Sequence, residues 1–270
     1  MKLIFVGGGN MAGALIGGLL KQGWRADALR AVDISEDARG NLAARFGVQT
    51  AAALPQRFAA DEAVLLAVKP QNLQPVAAEL GARLQGQLVI TIAAGIRTGD
   101  LSRWLGGHKR VIRAMPNTPA LVGLGVAALY APAAVGAADR QAADAVMAAV
   151  GKSLWVEREE LLDAVTAVSG SGPAYVFYFM EALLQAATEL GLTPEQARML
   201  TLETFYGAAS LARESDEPPS TLRERVTSKR GTTERALLHL EAEQVRARIA
   251  AAVQQAAARS RELGDELGRG

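Results

Sequence analysis

Leu3-Ile4-Phe5-Val6-Gly7-Gly8-Gly9-Asn10-Met11-Ala12 opens the chain, and the fold is decided there. Four consecutive apolar residues read as a short strand, and the run after Asn10 has helical spacing. Between them lies G-x-G-x-x-A. Gly7 permits the tight turn, Gly9 removes the side chain that would hold the backbone away from a pyrophosphate, and Ala12 lets the helix approach the sheet. Gly8, Asn10 and Met11 complete the turn. The helix start then offers free N–H groups and the positive end of its dipole to an anion. Standing alone, the pattern also describes a glycine-rich turn that holds nothing.

Working outward, Leu29 to Val32 forms a second predicted strand closed by Asp33, at roughly the 20-residue spacing expected of the ribose-binding acid of a dinucleotide site. A carboxylate there can accept from the adenosine ribose 2′-OH and repel a 2′-phosphate, which leans the cofactor towards NAD. The competing reading is that Asp33, followed by Ser35, Glu36 and Asp37, only caps and charges the start of the next helix. Arg39 or Arg45 could also serve a phosphate if the loop folds back, so NADH and NADPH both stand. Short apolar runs at Val64 to Val68, Leu88 to Ile92, Arg110 to Ala114 and Val126 to Tyr130 alternate with Ala-rich segments of helical spacing. That alternation predicts β-α-β units around a mostly parallel sheet over residues 1–156. Past about Glu157 it stops. Helices are expected over Pro173 to Leu190, Pro194 to Arg213, Thr233 to Leu240 and Glu243 to Leu267, with Thr193 capping the second. Residues 157–270 therefore read as an all-α domain.

Composition narrows the function. A chain of 270 residues and 28.3 kDa, half of them hydrophobic, can bury a core in one large or two moderate domains. A net charge of +1 gives no electrostatic reason to expect nucleic acid or an anionic membrane as partner. The absence of cysteine excludes disulfides, thiolate metal sites and a cysteine nucleophile, and two histidines make a histidine-rich metal site unexpected, so no metal is assigned. The short apolar run after Met1-Lys2 lacks the length and cleavage pattern of a signal peptide, and no stretch approaches a membrane span; a soluble, cytoplasmic protein is expected.

Two further segments fall where predicted strands run into loops, the edge at which open α/β sheets bind ligands: Ala67-Val68-Lys69-Pro70 and Met115-Pro116-Asn117-Thr118-Pro119. Asn117 can donate and accept at a carboxamide or ribose, and a stiff turn with a solvated asparagine is as good a reading. Together with the opening turn, Ala93-Ala94-Gly95, Ser169-Gly170-Ser171-Gly172-Pro173-Ala174-Tyr175-Val176-Phe177 and Thr227-Ser228-Lys229-Arg230-Gly231-Thr232-Thr233, these segments resemble pyrroline-5-carboxylate reductases, in order and over nearly the whole chain. The resemblance implies a Rossmann domain binding NADPH or NADH, with Gly7, Gly8, Gly9, Asn10, Met11, Asp33, Ala67, Val68, Lys69, Pro70, Ala93, Ala94 and Asn117 against the cofactor. It implies reduction of 1-pyrroline-5-carboxylate to L-proline, Thr233 hydrogen-bonding the ring nitrogen and Ser228, Gly231 and Thr232 surrounding the substrate carboxylate. It also implies a homodimer with interlocked helical domains, assembling into larger rings.

The residues carry that chemistry independently. Reduction of a cyclic imine rests on positioning, and an imine taken up already protonated needs no strong general acid, which suits a chain with few candidates. Thr227 to Thr233 supplies hydroxyls and a helix start suited to a carboxylate. The bland alternative is an N-cap box with no ligand. Arg230 departs from the small residue usual in the family: at φ > 0 it would strain the turn, or its guanidinium would reach the substrate carboxylate. Tyr175, Phe177, Tyr178 and Phe179 read as core or subunit interface. His108 is expected in a solvated turn and His239 at solvent or an interface. The ammonium of Lys69 is not expected to be the proton donor. Two rivals stand: a reductase for another small imine, and a catalytically idle dinucleotide-sensing dimer.

Overall fold

A computed structural model describes residues 1–269. Eight strands form one sheet: β1 (Lys2–Val6), β2 (Leu29–Val32), β3 (Gln49–Ala51), β4 (Glu62–Leu66), β5 (Val89–Thr91), β6 (Val111–Met115), β7 (Gly125–Tyr130) and β8 (Gly151–Trp155), in the order β3-β2-β1-β4-β5-β6-β7-β8. All neighbours are parallel except β6 and β7. Between the strands run α1 (Asn10–Lys21), α2 (Glu36–Phe46), α3 (Leu73–Gly81), α4 (Thr98–Trp104) and α5 (Ala137–Ala148).

Strand periodicity sorts the core. Along β1, Leu3 and Phe5 pack on one face of the sheet with Leu15, Ile16 and Leu19 of α1, while Ile4 and Val6 pack on the other with Leu73 and Leu80 of α3. Both faces are covered, which is why these strands read as continuous apolar runs. The strands missing from the sequence reading are the two edges. β3 is a three-residue Gln-Thr-Ala stretch, and β8 alternates half-buried and exposed residues, so neither has an apolar run to announce it.

After β8 come α6 (Leu161–Val165), a π-helical turn over Thr166–Gly170, α7 (Gly172–Glu189), α8 (Pro194–Glu214), α9 (Pro219–Arg225), α10 (Thr232–Ala242) and α11 (Val245–Leu267). The sheet ends close to residue 156, but the compact units divide later. One holds Met1–Ser171 together with the chain from Ala256 onward, and the other is Gly172–Gln255. Two polar contacts hold the end of α11 in the first unit: Ser260 Oγ donates to the buried Asp163 Oδ1 at 2.6 Å, and Arg97 pairs with Asp265 at 2.6 Å. In the second unit α7 packs on α8, yet only Ala197 and Thr201 are buried among Gly172–Gln255. No helix among the described residues is long and apolar enough to cross a membrane.

Candidate active site

The order of the sheet reverses at β1: β2 and β3 lie to one side, β4 onward to the other. The crevice beyond the carboxyl ends of the strands at that point is where open α/β sheets bind their ligands. Gly7 sits there at φ 103°, and a Cβ on it would lie 2.7 Å from the Ala67 carbonyl, so both its conformation and its packing against the end of β4 require glycine. Gly7 N donates to Val32 O at 2.8 Å and Ala67 N to Val6 O at 2.7 Å, which knits the ends of β1, β2 and β4 together.

Gly9 is the N-cap of α1 and leaves its first N–H groups without a side-chain cap. A Cβ on Gly9 would meet no protein atom within 4 Å, so the space beside the uncapped helix start is open. An anionic pyrophosphate fits there, against free N–H groups and the dipole's positive end. Gly8, Gly9 and Asn10 also border a cavity of about 700 Å³ that follows the flank of α1 to Arg45 and Phe46.

Asp33 does not cap α2. That role belongs to Ser35, whose Oγ accepts from Ala38 N at 3.3 Å. The Asp33 carboxylate turns instead to the glycine turn, Oδ2 accepting from Gly8 N at 2.6 Å and Oδ1 from Ser35 N at 2.8 Å. Arg39 faces the same loop and donates to Asp33 O at 2.8 Å and Ile34 O at 3.0 Å.

Ala67, Val68, Lys69 and Pro70 follow β4, Ala93 and Ala94 follow β5, and Asn117 follows β6, so the parallel sheet places them on the same edge as Gly7–Met11 and Asp33. Lys69 is exposed; Ala93 is buried. Asn117 is not the solvated asparagine of a stiff turn. It is buried, and its carboxamide bridges two segments: Oδ1 accepts from Val126 N at 2.9 Å and Nδ2 donates to Ser169 O at 3.1 Å. One N–H and further acceptor capacity remain on it.

The sequence reading missed a buried cluster behind this edge. Arg113 reaches Glu159 at 3.2 Å, and Glu159 accepts from Thr98 N and Thr98 Oγ1, both at 2.7 Å, at the start of α4. A charged residue inside the apolar run Val111-Ile112-Arg113-Ala114 was the available signal. His108 is also corrected. It is half-buried rather than solvated, with Nε2 2.8 Å from Gln87 O, and burial pushes its pKa below the ordinary value of 6.5. His239 is exposed.

The second set of candidate residues lies in the helical unit. Gly231 is the N-cap of α10 and no side chain caps that helix, although Ser228, Thr232 and Thr233 surround its start. Among the described residues, none of those three hydroxyls makes a hydrogen bond. Thr227 Oγ1 differs, donating to Arg223 O at 2.6 Å. Ser228 Oγ lies over Gly231, where a Cβ would come within 2.7 Å of it. Arg230 has φ 60°, and its N–H donates to Glu234 Oε2 at 2.7 Å. The turn is thus braced from outside while its hydroxyls and the first N–H groups of α10 stay available to an anion.

Comparison with known proteins agrees with both halves. The family described as "Pyrroline-5-carboxylate reductase dimerisation" matches residues 159–263, and "NADP oxidoreductase coenzyme F420-dependent" matches residues 2–95. The pyrroline-5-carboxylate reductase of Pseudomonas aeruginosa is 44% identical over 269 residues, covering 99% of this chain and 98% of that protein. A solved pyrroline-5-carboxylate reductase from Coxiella burnetii superposes with a TM-score of 0.88 at 38% identity, over 97% of this chain and 98% of the other. The Plasmodium falciparum pyrroline carboxylate reductase, solved with NADP bound, gives 0.85 at 27% identity over 98% of each chain. Full-length identity at this level, on a chain whose strand-end turns and α10 start occur in the same fold, has one reading: the chain belongs to the pyrroline-5-carboxylate reductase family.

Proposed function

We propose that this chain reduces 1-pyrroline-5-carboxylate to L-proline with NADPH or NADH. The observation that carries the reading is the start of α10, where three hydroxyls stand unused around an uncapped helix N-terminus. Residues 1–156 serve the dinucleotide, through Gly7, Gly8, Gly9, Asn10 and Met11 at the pyrophosphate, Asp33 at the ribose, and Ala67, Val68, Lys69, Pro70, Ala93, Ala94 and Asn117 along the strand ends. Residues 157–270 serve the substrate and the dimer.

When bound, the reduced dinucleotide supplies a hydride. The chain's own part is to hold and orient. N–H groups at the start of α10, with Ser228, Gly231 and Thr232, take the substrate carboxylate, and Thr233 Oγ1 takes the ring nitrogen. The ring arrives as an iminium, so hydride addition at carbon neutralises the nitrogen and leaves a secondary amine with no proton demanded of the protein in that step. Holding the ring in place for that transfer would then supply much of the rate. The helical domains of two subunits interlock, and dimers assemble into rings.

The test is a spectrophotometric assay of NADH and NADPH oxidation with pyrroline-5-carboxylate. Turnover is expected, and Thr233→Ala should lower kcat/KM by about 10²-fold while dinucleotide binding persists. Dinucleotide binding without any turnover would favour the idle sensing dimer instead.

A further inference from the structure

We propose that Asp33 and Ile34 make the dinucleotide site selective for NADH over NADPH; the inference rests on the dinucleotide reading above. The Asp33 carboxylate stands at the carboxyl end of β2, held by two backbone donors, Gly8 N at 2.6 Å and Ser35 N at 2.8 Å. A carboxylate has about four acceptor directions, so each oxygen keeps one for a ribose hydroxyl, and a vicinal diol matches the pair. The carboxylate cannot swing aside for a phosphate, because doing so strips Gly8 N of its partner inside the turn that receives the pyrophosphate.

The surrounding charge points the same way. Asp33, Glu36 and Asp37 bring three carboxylates to the loop and the start of α2, against two guanidiniums on that helix, Arg39 and Arg45, the second of which lies over the Phe46 ring at 4.9 Å. Arg39 is already turned inward, with Nη1 donating to the carbonyl oxygens of Asp33 and Ile34. Those two bonds tie its Nη1 to the loop backbone. Ile34 supplies the complementary feature. Its side chain is 93% exposed immediately beyond Asp33, a bare apolar surface at the adenosine end of the site, where a flat base would cover it. An apolar surface followed by a diol acceptor suits adenosine with a free 2′-OH, and a 2′-phosphate would bring up to two negative charges against Asp33.

Calorimetric titration of the full-length protein with NADH and NADPH, without substrate, reads the selectivity apart from catalysis. NADH should bind at least about tenfold more tightly, the gap narrowing with added salt. ADP-ribose should likewise outcompete its 2′-phosphorylated form. Asp33→Ser and Asp33→Asn should each close the gap to within about threefold, the second keeping an acceptor for the backbone. Ile34→Ser should weaken both dinucleotides alike and leave their ratio unchanged. Equal or tighter binding of NADPH by the wild-type protein overturns the proposal while the dinucleotide reading survives. So does an NADH preference that persists in both folded Asp33 variants. Failure to bind either dinucleotide overturns that reading and the proposal with it.

Discussion

Arg230 occupies the left-handed region at φ 60°, a conformation that costs a residue bearing a Cβ about 1–2 kcal/mol. The turn keeps it because Arg230 N–H is held by Glu234, and the exposed guanidinium has no ion-pair partner among the described residues. Two roles follow from one residue: strain in the turn, and a cation beside the proposed carboxylate site. Arg230→Gly separates them. Relief of strain and added unfolded-state freedom oppose each other, leaving stability within about 1 kcal/mol, whereas losing a carboxylate partner should raise the substrate KM severalfold with the cofactor KM unchanged. Steady-state kinetics with each substrate varied decides it; an unchanged or lower substrate KM dismisses the cation. Arg230 stood out in the sequence as a departure from the small residue usual in the family, while its φ of 60° is set by the folded turn. The buried bridge made by Asn117 was not legible in the sequence, since the Val126 N–H and Ser169 carbonyl that it joins are brought together only by folding.

Helix starts tell structure from function. At α8, Thr193 accepts from Gln196 N and Gln196 Oε1 accepts from Thr193 N, a complete capping box with Pro194 in the first turn. At α10, hydroxyls are more abundant, with Ser228, Thr232 and Thr233, and none is used in this way. Both starts look alike as sequence. The difference predicts a split between stability and activity: Thr193→Ala should lower unfolding free energy by about 1 kcal/mol, while Thr232→Ala should leave it nearly unchanged and impair substrate binding. Denaturant unfolding paired with kinetics reads both effects; an equal loss of stability from the two substitutions would make the α10 threonine a cap after all. The π turn over Thr166–Gly170 is a second local irregularity without an advance signal. Ser171 N donates to Thr166 O at 2.8 Å, and the turn carries the Ser169 carbonyl that Asn117 holds. A Cβ on Gly170 would come within 2.7 Å of the Met115 terminal methyl, so a larger residue there would displace the end of that flexible side chain.

On the scale of the whole molecule, the helical unit is short of a core. Tyr178 is 71% exposed, Leu190 85% and Tyr206 65%, and the burial within Gly172–Gln255 is confined to Ala197 and Thr201. Large apolar side chains left bare at that density mark a surface that another chain covers. In the proposed dimer, stability is therefore inseparable from association. The melting temperature should rise with protein concentration, and a melting temperature that stays constant on dilution to the point where light scattering reports monomer would refute an obligate dimer. Family resemblance singled out the α10 turn; by themselves the residues determined the α/β order, the glycine turn after β1 and the change to helices near residue 157. These depend on periodicity, on glycine's missing Cβ and on proline's fixed φ, all properties of residues close together in the chain. Tertiary structure alone decided that Asp33 serves the glycine turn rather than its own helix, that Asn117 is a buried bridge, and that the end of α11 returns to the first unit. Each of those turns on which distant donor lies within about 3 Å of which acceptor, and only the packed chain sets that distance.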